Sequence, residues 1–389
     1  MKDIEQALQG SLRASVDAVV EGNTEFALDL YQRLRSREGN LFFSPHSIST
    51  ALAMTYAGAR GSTESQMAQV LHFLLDQEQL HPAFAWLEAS LRDVGKKGRV
   101  QISVANSLWP HQRLALLDQF LALTKRYYGV QITAVDYGRA KEARRMINAW
   151  VAEKTENKIE ELLKPEMLGP LTVMVLVNAI YFKGDWARQF DEQLTRESPF
   201  SITPEEQVQV MMMTQKHEFR YAETGDLQVL ELPYAGEDLS MIVLLPAEVG
   251  GLADLEDRLT VETLERWTKY LWETEVKVFL PRFEVTLPIQ LGETLESMGM
   301  PDAFSSTADF SGMAKGQIFI SKVVHKAFVK VNEEGTEAAA ATAVIMARGA
   351  PPPVPTFRAD HPFLFLIREN STGGILFLGR VVDPVSAAD

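Results

Sequence analysis

The chain has 389 residues, 46% of them hydrophobic and 23% charged, and its 52 acidic against 38 basic side chains give a formal charge of −14. That balance is ordinary for a folded globular protein. It argues against nucleic acid or an anionic membrane as the main partner, since both need clustered Lys and Arg, and the densest basic group, Lys96, Lys97 and Arg99, is short. Cysteine is absent, so a disulfide framework, a thiolate nucleophile and a cysteine-ligated metal are all excluded. The opening MKDIEQALQG is too acidic and polar for a signal peptide, and no apolar run approaches the ~20 residues of a membrane span. The chain therefore reads as cytoplasmic, or as extracellular if its N-terminus has been processed.

Residues 1–22 carry a loose helical pattern, with Ile4, Leu8, Leu12 and Val16 four apart, and read as an N-terminal helical extension. Asn23 is then placed as the cap of a clearer helix that sets Phe26, Leu30 and Leu34 on one face. In NLFFSPHSISTALAM, Ser44 caps a helix whose first position is Pro45. Thr63 and Gln66 have the spacing of a capping box for the next helix, toward Leu71. Further helices are expected over 117–128 and 140–163, the latter with Ile147 and Val151 four apart.

Val100, Ile102 and Val104 alternate as a strand before Trp109 and Pro110. LTVMVLVNAIYF, residues 171–182, is a β-branched and aromatic run suited to a central strand covered on both faces. From about 207 onward strands dominate: VQVMMM, FRYAE, LQVLELPY, LSMIVLLP, VKVFLPRFEV and FISKVVHKAFVKV, interrupted by helical patches at 252–271 and 288–299. FLFLI and ILFLGRVV close the chain as a hairpin, so the Asn370-Ser371-Thr372 sequon reads as its turn. No repeat and no Pro/Gly/Ser linker divides the chain. Residues 23–389 therefore form a single α+β domain, helix-rich first and sheet-rich second.

Glu333 to Pro355, EEGTEAAAATAVIMARGAPPPVP, fits two conformations. Its alanines favour a helix, and its proline cluster stops one. As a strand it has one face of Thr336, Ala338, Ala340, Thr342, Val344 and Met346, which bears no charge. Such a segment could slide into an existing sheet with that face toward a core.

Enzymatic motifs are missing. The seven histidines form no His-x-x-x-His or His-Glu-x-x-His zinc pattern, and no Gly-x-Ser-x-Gly elbow, Walker loop or Gly-x-Gly-x-x-Gly fingerprint occurs. No metal or cofactor is expected, and nothing points to a hydrolase.

VNEEGTEAAAATA, followed by a variable segment and then FRADHPFLFLIREN…GILFLGRV, resembles the hinge, reactive-centre loop and C-terminal signature of the serpins, of the intracellular ovalbumin-like or prokaryotic type. NLFFSPHSISTALAM, LVNAIYFKGDW, LPRFEV and VHKAFVKVNEEG agree in serpin order, over about residues 23–385. The resemblance implies three β-sheets, eight to nine helices, and a loop, about residues 335–356, exposed at one pole. It also implies a suicide substrate rather than an enzyme. A serine protease attacks the loop, an acyl-enzyme forms, and the cut loop enters a sheet, serpin insertion being a standing example of strand addition. The implied partner is that protease, in a covalent complex with a monomer prone to polymerise. A carrier, chaperone or storage role is the alternative within the family.

The hinge, Glu333, Glu334, Gly335, Thr336, Glu337, Ala338, Ala339, Ala340, Ala341 and Thr342, keeps the small residues of inhibitors, with no proline or inward charge to obstruct insertion. Counting Glu333 as the seventeenth residue before the cut places the reactive bond at Gly349-Ala350, which points to elastase- or subtilisin-like enzymes. A shift of one residue places it at Arg348-Gly349. Arg can fill an acid-lined specificity pocket, which favours the second bond and trypsin-like targets. By motif, Ser44, Ser47, Asn178 and His325 correspond to the polar shutter under the sheet that opens. Trp186, Arg282 and Glu333 correspond to the breach where insertion begins. A heparin site near residues 70–95 is not expected, because Asp76, Glu78, Glu88 and Asp93 offset the basic residues there.

Overall fold

The computed structural model of the chain describes residues 2–130, 132–334 and 354–386. The first half alternates helices with a few strands: α1 (Lys2–Leu34), β1 (Leu41–Phe43), α2 (Pro45–Tyr56), α3 (Gly61–Val70), α4 (Gln77–Lys96), β2 (Val100–Pro110), β3 (Ala115–Leu116), α5 (Asp118–Tyr128), α6 (Ala140–Lys154) and β4 (Met174–Gly184). Strands then take over with β5 (Arg196–Ser201), β6 (Gln207–Thr224), β7 (Leu227–Pro233) and β8 (Leu239–Pro246). After α7 (Leu252–Asp257) and α8 (Val261–Lys269) come β9 (Trp272–Pro281), β10 (Phe283–Gln290) and α9 (Gly292–Met298). The chain finishes with β11 (Ala314–Lys315), β12 (Lys322–Val331), β13 (Thr356–Arg358), β14 (Phe363–Glu369) and β15 (Ile375–Val381).

Among the described residues these strands make three sheets. The largest runs β1-β15-β14-β8-β7-β6-β9-β13 with β5 against β6, the second runs β10-β12-β4-β2, and β11 pairs β3. In the four-stranded sheet, β2 is antiparallel to β4 and β10 antiparallel to β12. The two central strands are parallel, in register from Lys322↔Val175 to Val329↔Phe182. The apolar run of β4, interrupted only by Asn178, follows from this position. Val175, Val177 and Ala179 pack with Ile147 and Val151 of α6, while Met174, Leu176, Ile180 and Phe182 face the two other apolar clusters. A strand buried on both faces has no polar side to show.

Several local expectations are corrected. Asn23 caps nothing, because α1 is continuous through it. The residue is buried, and its Nδ2 donates to the Ile375 carbonyl at 3.0 Å, so a tertiary partner satisfies the amide inside the helix. Gly22 beside it is required, since a Cβ there would lie 2.2 Å from the His72 carbonyl oxygen. Helix α3 begins at Gly61, and no side chain caps it. Thr63 Oγ1 instead accepts from the Asp309 amide at 2.9 Å and Gln66 Oε1 from the Asp302 amide at 3.0 Å, so the capping-box pair staples a distant loop. Helix α6 stops at Lys154 rather than 163, where Glu156 and Asn157 take φ of 52° and 59°. VQVMMM and FRYAE belong to one strand, β6, whereas VKVFLPRFEV is divided at Arg282 into β9 and β10. The helical patch at 288–299 shortens to α9, because β10 runs on to Gln290.

Candidate functional site

Ser44, Ser47, Asn178 and His325 meet in one buried cluster under the centre of the four-stranded sheet. Asn178 on β4 and His325 on β12 are partners in the register, so they face each other across the parallel seam. His325 Nε2 accepts from the Ser44 amide at 3.2 Å, which leaves Nδ1 as the protonated nitrogen, donating to Asn178 Oδ1. Asn178 then turns its Nδ2 to Ser47 Oγ at 2.6 Å and the Ser47 carbonyl at 2.9 Å. Burial lowers the His325 pKa to about 3, and the geometry agrees, because a second ring proton would oppose the Ser44 N–H. The ring is therefore neutral near pH 7. Ser44 is the expected cap of α2: its Oγ accepts from the Ser47 amide at 3.2 Å, and it donates to the Leu376 carbonyl at 2.6 Å.

Asn106 completes this cluster and was missed in the sequence. It pairs in register with Asn178, and Asn106 Oδ1 accepts from Asn178 Nδ2 and from Ser47 Oγ. Three adjacent strands thus contribute Asn106, Asn178 and His325 to one level of the sheet. The signal was legible: the alternation of Val100, Ile102 and Val104 continues to a polar residue on the same face.

At the end of β12 a second cluster fixes the start of the loop. Glu333 is 2% exposed, and Arg282 Nε reaches its two carboxylate oxygens at 2.8 and 2.6 Å. Thr195 Oγ1 donates to the same carboxylate. Burial pushes the Glu333 pKa up, but the hydrogen bonds from Arg282 and Thr195 outweigh it and hold the carboxyl below its ordinary value. Trp186 stacks on Tyr234 with ring centroids 4.7 Å apart, and its Nε1 donates to the Asn332 carbonyl at 3.0 Å. Gln189 Nε2 donates to the Glu334 carbonyl at 3.4 Å. Arg282 and Glu333 therefore form the expected ion pair, Trp186 sits one residue away, and Thr195 is an unpredicted member.

The chain re-enters at Val354. The Lys277 amide donates to the Pro355 carbonyl at 2.9 Å, Gln228 Nε2 to the Thr356 carbonyl at 3.2 Å, and β13 pairs in parallel with β9. The hinge residues Gly335, Thr336, Glu337, Ala338, Ala339, Ala340, Ala341 and Thr342, and the bond candidates Arg348, Gly349 and Ala350, lie outside the described residues. Two anchored ends thus flank residues 335–353, and a hydrogen-bonded polar cluster spans β4 and β12.

Comparison with known proteins places the whole chain. The family model described as serpin (serine protease inhibitor) matches residues 21–384. The human leukocyte elastase inhibitor is 46% identical over 383 residues, covering 95% of this chain and 100% of the relative. Serpin B6 of Macaca fascicularis is 45% identical over 379 residues, again covering 95% and 100%. Among solved structures, uncleaved ovalbumin aligns with a TM-score of 0.85 at 34% identity, covering 94% of this chain and 100% of that one. Maspin aligns with a TM-score of 0.88 at 31% identity, covering 95% and 100%.

Proposed function

The chain belongs to the serpin family, and from that premise we propose that it traps a serine protease covalently by drawing its cut loop into the four-stranded sheet. Protease inhibition is the function; the trap is the mechanism. The observation that carries it is the direct parallel pairing of β4 and β12, with the loop leaving from the end of β12. A segment that turns back from β12 runs antiparallel to both strands. Its entry would exchange one parallel ladder for two antiparallel ones, and antiparallel pairing is slightly more stable per residue. The face of Thr336, Ala338, Ala340 and Thr342 can be buried without a charge.

The protease serine supplies the nucleophile, and this chain supplies the scissile carbonyl. Arg348-Gly349 is the proposed bond, because an Arg side chain gives a trypsin-like pocket something to hold. Incubation with trypsin should produce an SDS-stable band heavier than either protein, and the released C-terminal fragment should begin at Gly349. A fragment beginning at Ala350 would reject Arg348. Cleavage without the heavy band would reject trapping and leave a carrier, chaperone or storage role. The second reading, a cut after Gly349 by an elastase-like enzyme, is favoured by similarity to relatives named leukocyte elastase inhibitor. We also infer that the protein acts as a cytoplasmic monomer without heparin, since Asp76, Glu78, Glu88 and Asp93 offset the basic residues near 70–95.

A further inference from the structure

The seam between β4 and β12 is bridged on both faces of its sheet. Asn178 and His325 join across it on the face toward α2, where Asn178 also meets Ser47. On the opposite face, where α6 covers Val175, Val177 and Ala179, the strands meet through aromatic rings. Tyr181 is in register with Phe328, and the ring centroids lie 5.4 Å apart with 43° between the planes. Tyr181 is buried, and Phe328 packs against the apolar cluster under α6. The next residue in this row, Thr286 on β10, keeps its Oγ1 buried without a partner, so the rings have no polar support from that side. The chain leaving α6 then closes over them. Glu156 and Asn157 take φ of 52° and 59°, and the Lys158 amide donates to the Thr155 carbonyl at 2.9 Å. This turn sets Lys158 Nζ 5.8 Å from the centre of the Tyr181 ring. From the other strand, Lys326 Nζ donates to the Glu161 carbonyl at 3.3 Å. One connection, residues 155–163, is thus fastened to β4 and to β12 and straddles the seam.

We propose that Tyr181, Phe328 and Lys158 form a latch over the seam, and that the rate at which it parts decides how an attacked molecule divides between trapping the protease and plain cleavage. The inference rests on the proposed entry of the cut loop between β4 and β12. A strand entering there moves Tyr181 and Phe328 from one inter-strand spacing to two, roughly 9–10 Å. Aromatic rings pair at centroid distances of about 4.5–7 Å, so the contact belongs to the closed sheet alone. It stabilises the closed state without stabilising the inserted one. The latch therefore adds to the barrier that the loop must cross while the acyl bond is open to hydrolysis.

The test uses the full chain and measures the rate at which the SDS-stable band forms at saturating protease. Tyr181→Leu and Phe328→Leu should each raise that rate by ~3–10-fold, and the double variant no further, because both remove the same contact. Lys158 is exposed, so Lys158→Met keeps the test decisive if the leucine variants fold poorly; it should raise the rate by ~2-fold. Unchanged or slower formation in all of them would overturn the latch. Thermal unfolding separates a latch from ordinary packing. The two leucine substitutions should be non-additive in intact protein and additive once the loop has been cut and inserted. Equal coupling in both forms would overturn the assignment. The chain has no cysteine, so Tyr181→Cys combined with Phe328→Cys places one disulfide across the seam. Oxidised, this variant should be cleaved without trapping, and reduction should restore the heavy band; trapping by the oxidised form would overturn the latch. If wild type traps neither trypsin nor elastase, the trapping mechanism and the kinetic role fall together, while coupling in the intact protein still decides the contact.

Discussion

His325 is a histidine whose charge the fold forbids. In an unfolded chain it titrates near its ordinary 6.5, whereas burial lowers the native value to about 3. Between those values the unfolded state binds a proton that the native state refuses. The contribution is therefore fully present above pH 6.5 and is lost as pH falls toward 3. His325→Gln should destabilise the protein by ~2 kcal/mol at pH 7.5, because the Ser44 amide and Asn178 Oδ1 lose their shared partner. The gap between wild type and variant in thermal unfolding should narrow from pH 7.5 to pH 5; a constant gap would contradict the assignment. Arg282 and Glu333 predict an asymmetry of another kind. Glu333 is 2% exposed but the Arg282 side chain is 40% exposed, so water can solvate the arginine left behind and not the carboxylate. Arg282→Ala should therefore cost about 2–3 kcal/mol in chemical unfolding and Glu333→Gln nearer 1 kcal/mol. Glu333→Lys should go further and yield polymers on mild heating, read on a native gel; a variant that stays monomeric would oppose a role in holding the sheet shut. The ion pair was legible only through motif resemblance, since nothing in the spacing of residues 282 and 333 brings them together. Thr195 gave no signal at all, being one polar residue in a polar connection that becomes buried only when Glu333 lies on it.

At the scale of the element, periodicity carried the interiors and failed at the ends. The double burial of β4 was readable because its β-branched and aromatic residues, with Asn178 as the one polar side chain among the nine buried ones, do not alternate with polar residues. The cap at Asn23 and the capping box at Thr63 were locally sound and wrong, because their polar groups found partners about 350 and 246 residues away in sequence. Single-sequence reasoning about caps sees only near neighbours. The same limit affects the hinge, whose use depends on a seam formed by β4 and β12, elements far apart in sequence. Thr336→Arg should convert the protein from inhibitor to substrate. The uncharged insertion face would then have to bury a guanidinium, at a cost of several kcal/mol. On a denaturing gel the cleaved band should replace the heavy complex, with the cleavage site unchanged; undiminished trapping would remove the face argument.

For the whole molecule, composition and patterning reached an α+β domain, but the arrangement of its three sheets came from family resemblance. A parallel seam between two strands about 150 residues apart has no local signature. That seam leads to the largest expected effect. The loop is anchored at Asn332 and Glu333 on one side and at Pro355 and Thr356 on the other, so an intact loop is tied at both ends. Proteolysis between Thr342 and Gly349 would free the hinge side while leaving β13 on β9. The freed segment could then add its backbone hydrogen bonds and its small side chains to the centre of the sheet. At about 2.1 cal/mol/K of unfolding entropy per residue, a gain of ~8 kcal/mol corresponds to a rise of ~10 °C in the unfolding midpoint of a chain this size. Cleavage by a non-target protease within the loop, followed by thermal unfolding beside the uncut protein, measures this directly. Cleaved protein that melts at the unchanged temperature would show that the seam does not open, and the chain would then be cut by proteases rather than able to trap them.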